Sequence, residues 1–383
     1  MNPVYLDYNA TTPIDPDVAG AMRPYIYEHF GNPSSSHQYG INANAGVTEA
    51  RVRIANMLGC QTQELIFTSG GTESNNYAIK GVIGAYRDKG NHIITSSVEH
   101  PAVIEVCRYL QDHGCTVTYL PVDSRGAVDP RHVEEAIALN TVLITIMHAN
   151  NEVGTIEPLA EISAIARKHG VLLHADCAQS VGKIPVRVDD LGVDLLSIAG
   201  HKLYAPKGIG ALYIRSGVKL EKQMHGANHE MGWRVGTENA IEIAGLGKAC
   251  GLISENLPIY QRHMQEMRDR LERGIQDKFP DVRINGALDD RLPNTSSMSF
   301  KGLEANTILA EMANVAASAG AACHSDHVEV SSVLAAMKVP LEYAMGTLRF
   351  SVGRFTTSEE IDEAVDEVAR VVGSFVNIQT VRG

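Results

Sequence analysis

VLLHADCAQSVGKIPVRVDDLGVDLLSIAGHK (residues 171–202) holds two short runs, VLLHADC and LLSIAG, built almost wholly from apolar and β-forming residues and separated by a more polar connection. Such runs read as buried strands, and a strand apolar on both faces belongs to a sheet covered by helices on each side. Working outward, five more runs share the character: ELIFTSG (64–70), HIITSS (92–97), TVTYLPV (116–122), TVLITIMHAN (141–150) and GALYIR (210–215). Most of them alternate with longer amphipathic segments, so the expectation is an α/β fold whose large domain carries a mostly parallel seven-stranded sheet.

The character changes after about residue 253. NLPIYQRHMQEMRDRLERGIQDKF (256–279) has apolar positions at helical spacing among many charges and predicts a long exposed helix. SSMSF and TLRFSVG read as strands, NTILAEMA and SEEIDEAVDEVARVVGSF as helices, the last with acids at its start, where the helix dipole favours them. The expected division is a large domain over 14–253 and a smaller α+β domain made of 1–13 and 254–383. At 383 residues the chain exceeds what one growing core accommodates.

The formal net charge of -12, with no cluster of Lys and Arg, argues against direct nucleic-acid binding. MNPVYLDYNATTP lacks a basic region followed by an apolar stretch, and no segment nears 18 uninterrupted apolar residues, so a cytoplasmic enzyme without membrane contact is expected. The six cysteines are scattered with no CxxC pair, which fits reduced thiols better than a disulfide framework or a structural zinc site.

TSGGTESNN (68–76) follows a strand and opens a helix. Its glycines let backbone N–H groups approach an anion at the positive helix end, with Gly71 and Thr72 closest to a bound phosphate. It matches neither the Walker pattern nor the dinucleotide fingerprint. HADCAQS ends a strand at Asp176, and SIAGHKLYAPKGIG places His201 and Lys202 just past another. Ligand crevices of open α/β sheets lie outside the carboxyl ends of strands, so these residues should converge. A helix-start phosphate site, a strand-end carboxylate and a strand-end lysine are what pyridoxal phosphate requires. The lysine forms the Schiff base, the carboxylate keeps the pyridine nitrogen protonated, and the turn anchors the phosphate.

YLDYNATTP, FGNPSSSH, FTSGGTESNN, EHPAV, HANNEVG, HADCAQS, AGHKLYAPKGIG, RVGTEN, SAGAACHS and LRFSVGRFTT occur in the order and approximate spacing seen in cysteine desulfurases. The chain thus resembles, over essentially its whole length, the NifS/IscS-like group of the class V aminotransferase family. That resemblance implies a fold type I homodimer dependent on pyridoxal phosphate, which converts L-cysteine to L-alanine and leaves a persulfide on an enzyme cysteine. It puts the Schiff base on Lys202 and the pyridine-nitrogen partner on Asp176. His100 would stack on the ring and do acid/base work, Asn151 and Gln179 would bond the phenolic oxygen, and Thr72 and His201 would hold the phosphate. Thr237 would reach that phosphate from the partner subunit, Arg354 with Asn32 would hold the substrate carboxylate, and Cys323 would accept the sulfur. No metal is implied: Cys323, His324 and His327 do not have a standard structural spacing.

An arginine suits a carboxylate because it is planar and bidentate. Arg349 competes with Arg354, but its place in a strand suggests a pairing role. Cys323 must act as thiolate, and His100 or the neighbouring His324 could take its proton. The polar stretch HSDHVEVSSVLAAM after it marks the group whose cysteine rides a mobile loop between active site and acceptor. Two positions depart from the pattern: Ala199 replaces the usual serine two residues before His-Lys, and Trp233 occupies a normally smaller site. An aminotransferase or selenocysteine lyase of the same fold, or a docking scaffold for iron–sulfur assembly, is the alternative. The acceptor itself, an iron–sulfur scaffold, a tRNA thiolation enzyme or a DNA phosphorothioation protein, is not legible.

Overall fold

A computed structural model describes residues 3–324 and 327–382, apart from the side chains of 321–329 and 377–382. Strand β1 (Val4–Tyr5) precedes seven strands at the seven runs: β2 (Leu65–Thr68), β3 (His92–Ser96), β4 (Thr116–Leu120), β5 (Thr141–Thr145), β6 (Leu172–Asp176), β7 (Leu195–Ala199) and β8 (Gly210–Ile214). They form one sheet in the order β2-β8-β7-β6-β5-β3-β4. Neighbours from β7 to β4 run parallel, whereas β8 is antiparallel to β7 and β2. Residues 200–209, which join β7 to β8, are too few for the helical crossover that a parallel return needs.

Successive strand residues face opposite sides. Ile94, Ile144 and Leu196 therefore enter one apolar cluster with Ile54, Ile162 and Ile243 from helices Gln38–Leu58, Leu159–His169 and Ala240–Lys278. Ile93, Leu143 and Leu195 enter the other with Ile79 and Val103 from helices Gly71–Ala85 and Pro101–Asp112. Burial on both faces explains why these strands read as unbroken apolar runs.

The remaining strands are β9 (Arg283–Asn285), β10 (Thr295–Ser299), β11 (Val315–Ala316), β12 (Ser318–Ala319), β13 (Ala321–His324), β14 (His327–Val330) and β15 (Thr347–Ser351). An antiparallel sheet of order β12-β15-β10-β9 buries Met298, Leu348 and Phe350 against Leu271 and the closing helix Ser358–Arg382, and β11 pairs with β1. The expected long helix exists but begins earlier, running from Ala240 to Lys278. Ile243 to Ile253 pack on the large sheet and Met264 to Ile275 on the small one, so residue 253 lies within a helix that serves both cores rather than at a linker.

Candidate active site

At the carboxyl ends of β6 and β7 lies a cavity of about 410 Å3 lined by Gly71, Thr72, His100, Asn151, Asp176, Gln179, His201 and Lys202, together with Asn9, Ala199 and Arg349. Eight residues given a cofactor-binding role from the sequence therefore meet at one place. A second cavity of about 370 Å3 shares Gly71, Thr72 and His201 with it and extends past Ser69 and Lys207.

The anion end is set by local backbone geometry. Gly70 has φ 149°, a region that side chains disfavour, and helix Gly71–Ala85 starts immediately after it. The first N–H groups of that helix have no partner within it. Ser74 Oγ, 2.8 Å from Thr68 Oγ1, and Glu73, which accepts from Ser69 N at 2.7 Å, brace the turn. A Cβ on Gly71 would lie 3.2 Å from the Ala199 methyl, so backbone and methyl already fill the space between them. His201 lines both cavities, with Nδ1 3.1 Å from Thr11 Oγ1. Burial, then Lys202 and Lys207, push its pKa down to about 4, which makes it a neutral hydrogen-bonding group.

Asp176 is buried and is held by Asn75 Nδ2 at 2.7 Å and by Ala178 N at 2.9 Å. Lys202 donates to the carbonyls of Asn9 (2.5 Å) and Ala10 (2.7 Å). Burial first, then the Arg349 charge, lower its pKa to about 8 against the opposing pull of Asp7 and Asp176. His100 caps helix Pro101–Asp112: its Nδ1 accepts from Ala102 N at 3.0 Å. The neutral ring therefore carries its proton on Nε2, and burial keeps the ring neutral by lowering its pKa. His100 is thus a donor first, and a base for a thiol only after it has passed that proton on.

A protonated pyridine ring with an anionic phosphate fits this set: the helix start and His201 lie at one end, the fixed Asp176 carboxylate at the other, and a lysine with a lowered pKa between them. The donor set matches pyridoxal phosphate.

The two arginines are placed differently from the expectation. Arg354 does not reach the cavity. Its side chain is 2% exposed, pairs with Asp15, and sits 4.0 Å over the Tyr204 ring, 4.8 Å over Tyr260 and 5.2 Å over Phe355. Arg349 lines the cavity, bonding Asp7 Oδ1 (2.7 Å), Ser318 Oγ (3.0 Å) and the Asn151 carbonyl (3.2 Å), with a buried Nε that has no protein partner. In β15, Leu348 and Phe350 point into the core, so Arg349 between them points to the crevice. The strand position that suggested a pairing role is what aims it.

Asn32 and Thr237 are exposed and lie outside the cavity. Cys323 lies in β13, where its backbone pairs opposite Val328 in a β-ribbon with β14, and its side chain is outside the described residues. The other five cysteines are free, and burial raises the thiol pKa of each, to about 12 for Cys60, Cys107 and Cys250. None is poised as a thiolate. Trp233 packs against the cluster containing Tyr77, whose hydroxyl donates to its carbonyl at 2.5 Å. Sequence reasoning assigned no role to Asn9, although YLDYNATTP contains it. Asn9 bonds Ser351 and Thr295 on one side and the Asn151 carbonyl on the other.

The model of the class-V aminotransferase family matches residues 4–364. A cysteine desulfurase IscS of Dictyoglomus turgidum is 48% identical over 96% of this chain and 94% of its own, and one of Methanosarcina thermophila is 45% identical over 98% and 93%. A solved NifS-like protein superposes with a TM-score of 0.91 at 36% identity, covering 97% of this chain and 99% of its own. A structure described as SspA in complex with cysteine gives a TM-score of 0.81 at 36% identity over 92% and 99%. With the cavity, the sheet and these relatives agreeing, the chain belongs to the class-V aminotransferase family of pyridoxal-phosphate enzymes, in its cysteine desulfurase branch.

Proposed function

We infer that the enzyme takes the sulfur of L-cysteine, releases L-alanine and leaves a persulfide on Cys323 for a sulfur-acceptor protein, an iron–sulfur scaffold being the favoured class. The observation that carries this reading is one cavity holding Lys202, Asp176, His100, the helix start at Gly71 and Arg349. Bound there, pyridoxal phosphate supplies an electron sink for the charge that develops at the amino-acid Cα.

Gly71, Thr72 and His201 hold the phosphate, with Thr237 reaching it from a second subunit. Asp176 would face the ring nitrogen, His100 would stack on the ring, and Asn151 and Gln179 would bond the phenolic oxygen. Arg349, in place of Arg354, takes the substrate carboxylate, because it is the one of the two that lines the cavity. Asn32 keeps its proposed part only across a dimer contact. Lys202 Nζ removes the Cα proton, and the His100 Nε2–H supplies a proton at the reacting end. The Cys323 thiolate attacks the substrate sulfur: an S–S bond forms, the C–S pair stays with carbon, and protonation of that carbon gives alanine.

A homodimer in the cytoplasm is the proposed working form. Supporting this, Ile26, Tyr27, Phe30, Tyr39 and Ile41 are all at least 49% exposed within a short stretch, and no helix among the described residues is long and apolar enough to cross a membrane. Purified protein incubated with pyridoxal phosphate, L-cysteine and a reductant should give alanine and sulfide in equal amounts. Cys323→Ser should give neither catalytically, and full activity in that variant, or no alanine from the wild type, would sink the reading.

A further inference from the structure

Lys183 is 4% exposed, yet its Nζ bonds only neutral oxygens: Gln179 Oε1 at 2.5 Å and Asn9 Oδ1 at 2.7 Å. Buried lysines are ordinarily matched by a carboxylate. Here the charged groups acting on it are two further cations, Lys202 and Arg349, and burial with their repulsion holds its pKa well below the usual value. A neutral amine has two N–H bonds, as many as the two acceptors it meets. An unmatched buried amine beside a catalytic cavity points to a role beyond packing.

Lys183 follows Gln179 by four residues in the turn after β6, where Val181 N bonds Cys177 O, Ile184 N bonds Ser180 O, and Gly182 takes φ 84°. That turn brings the Nζ under the Gln179 amide. Because Nζ donates to Oε1, the amide oxygen is held away from the cavity and Nε2 is turned toward the Asn9 carbonyl, 3.0 Å away. An amide NH2 has two hydrogens, and the second is left for the cavity that Gln179 lines. Asn9 is fixed by the same Nζ, with Asn294 Nδ2 as its second donor at 3.0 Å.

We propose that Lys183 is a positioning residue that fixes the hand of the Gln179 amide, so that the cavity presents an N–H donor, and never a carbonyl, to the ring oxygen of the bound cofactor. This rests on the cofactor-holding part assigned above to Gln179. The consequence is that the site selects a cofactor whose ring oxygen is an acceptor, above all a phenolate, and disfavours one presenting a hydroxyl donor there. Without Lys183, a buried amide oxygen loses its donor, and only the Asn9 carbonyl is left to hold the hand of the amide.

The test is a double-mutant cycle on the full-length protein, reading pyridoxal phosphate affinity and the position of the visible band of the bound cofactor. Lys183→Met and Gln179→Leu should each weaken cofactor binding about tenfold and shift the band in the same direction. The double variant should match Gln179→Leu, about tenfold down rather than hundredfold. Additive losses, or a Lys183→Met protein with wild-type affinity and band, overturn the proposal. Lys183→Leu serves if the methionine variant does not fold; failure of both to fold makes Lys183 a folding residue and overturns it too. A wild type that forms no cofactor band would sink the reading of the site, which separates that failure from this one.

Discussion

Lys202 is the residue whose chemistry is most strongly set by its surroundings. A pKa lowered to about 8 leaves about a tenth of the amine free at pH 7, some two hundred times the free fraction of an ordinary lysine. Only the free amine adds to an aldehyde. Cofactor capture by the apoprotein should therefore rise with pH and level off above about 8. Stopped-flow absorbance measures it, and a rate still climbing tenfold per unit at pH 9 to 10 would contradict the lowered value. Lys202→Ala should lose the visible band of the lysine–cofactor bond altogether. The identity of this lysine was legible from sequence because Gly-His-Lys sits just past an apolar run, where strand ends deliver ligand groups. Its lowered pKa was not, since it comes from burial and from Arg349, 147 positions away along the chain.

The two arginines differ by where β15 ends. Residues 347–351 alternate in and out, which sends Arg349 to the crevice; Arg354 lies past the strand, where its backbone N donates to Tyr204 Oη at 2.7 Å and its guanidinium is caged by aromatic rings. Tyr204 itself has φ 65° and stands two residues after Lys202, with its N bonded to Thr12 Oγ1 at 2.9 Å. Arg354 and Asp15 thus clamp the turn that carries the lysine. Arg354→Met strands Asp15 as a buried charge and should cost about 3–5 kcal/mol in urea unfolding. At low denaturant it should leave the KM for cysteine within about twofold. Arg349→Ala should do the reverse, raising that KM by roughly a hundredfold for a lost charge-assisted pair; the opposite pattern would restore the carboxylate role to Arg354. Both residues stand in one motif, LRFSVGRFTT, and spacing alone could not choose between them. The choice depended on reading strand alternation across the motif. The seven strands of the large sheet were easier, because burial on both faces writes itself as apolar runs.

Two residues proposed for the site, Asn32 and Thr237, lie at the surface and outside the cavity. Thr237 is exposed, and the RVGTEN stretch is tied to the anion turn through Arg234, whose Nε bonds Glu73 at 2.9 Å. Burial raises the Glu73 pKa, and the Arg234 and Ser69 hydrogen bonds outweigh it, so the pair stays ionised and holds the stretch at the cavity rim. Tyr27 at 71% and Phe30 at 67% exposure stand five and two residues before Asn32, so an exposed apolar stretch leads into one of the two proposed site residues that lie outside the cavity. In the proposed two-fold dimer each such face would meet its own copy, and each site would borrow from the other subunit. Tyr27→Glu with Phe30→Glu should yield monomers in sedimentation and weaken cofactor binding with them. The sharper experiment mixes two defective proteins. Lys202→Ala has no Schiff-base lysine, and Thr237→Ala weakens phosphate binding. If Thr237 acts across the interface, a hybrid dimer has one site lacking both residues and one intact, so at limiting pyridoxal phosphate the refolded mixture should exceed the sum of the parents and show one class of sites with wild-type cofactor affinity. If Thr237 acts within its own subunit, every lysine-bearing site keeps the threonine defect and no wild-type class appears. Recovery of that class therefore places the residue on the partner, and its absence from a mixture proven to contain hybrids places the residue at home.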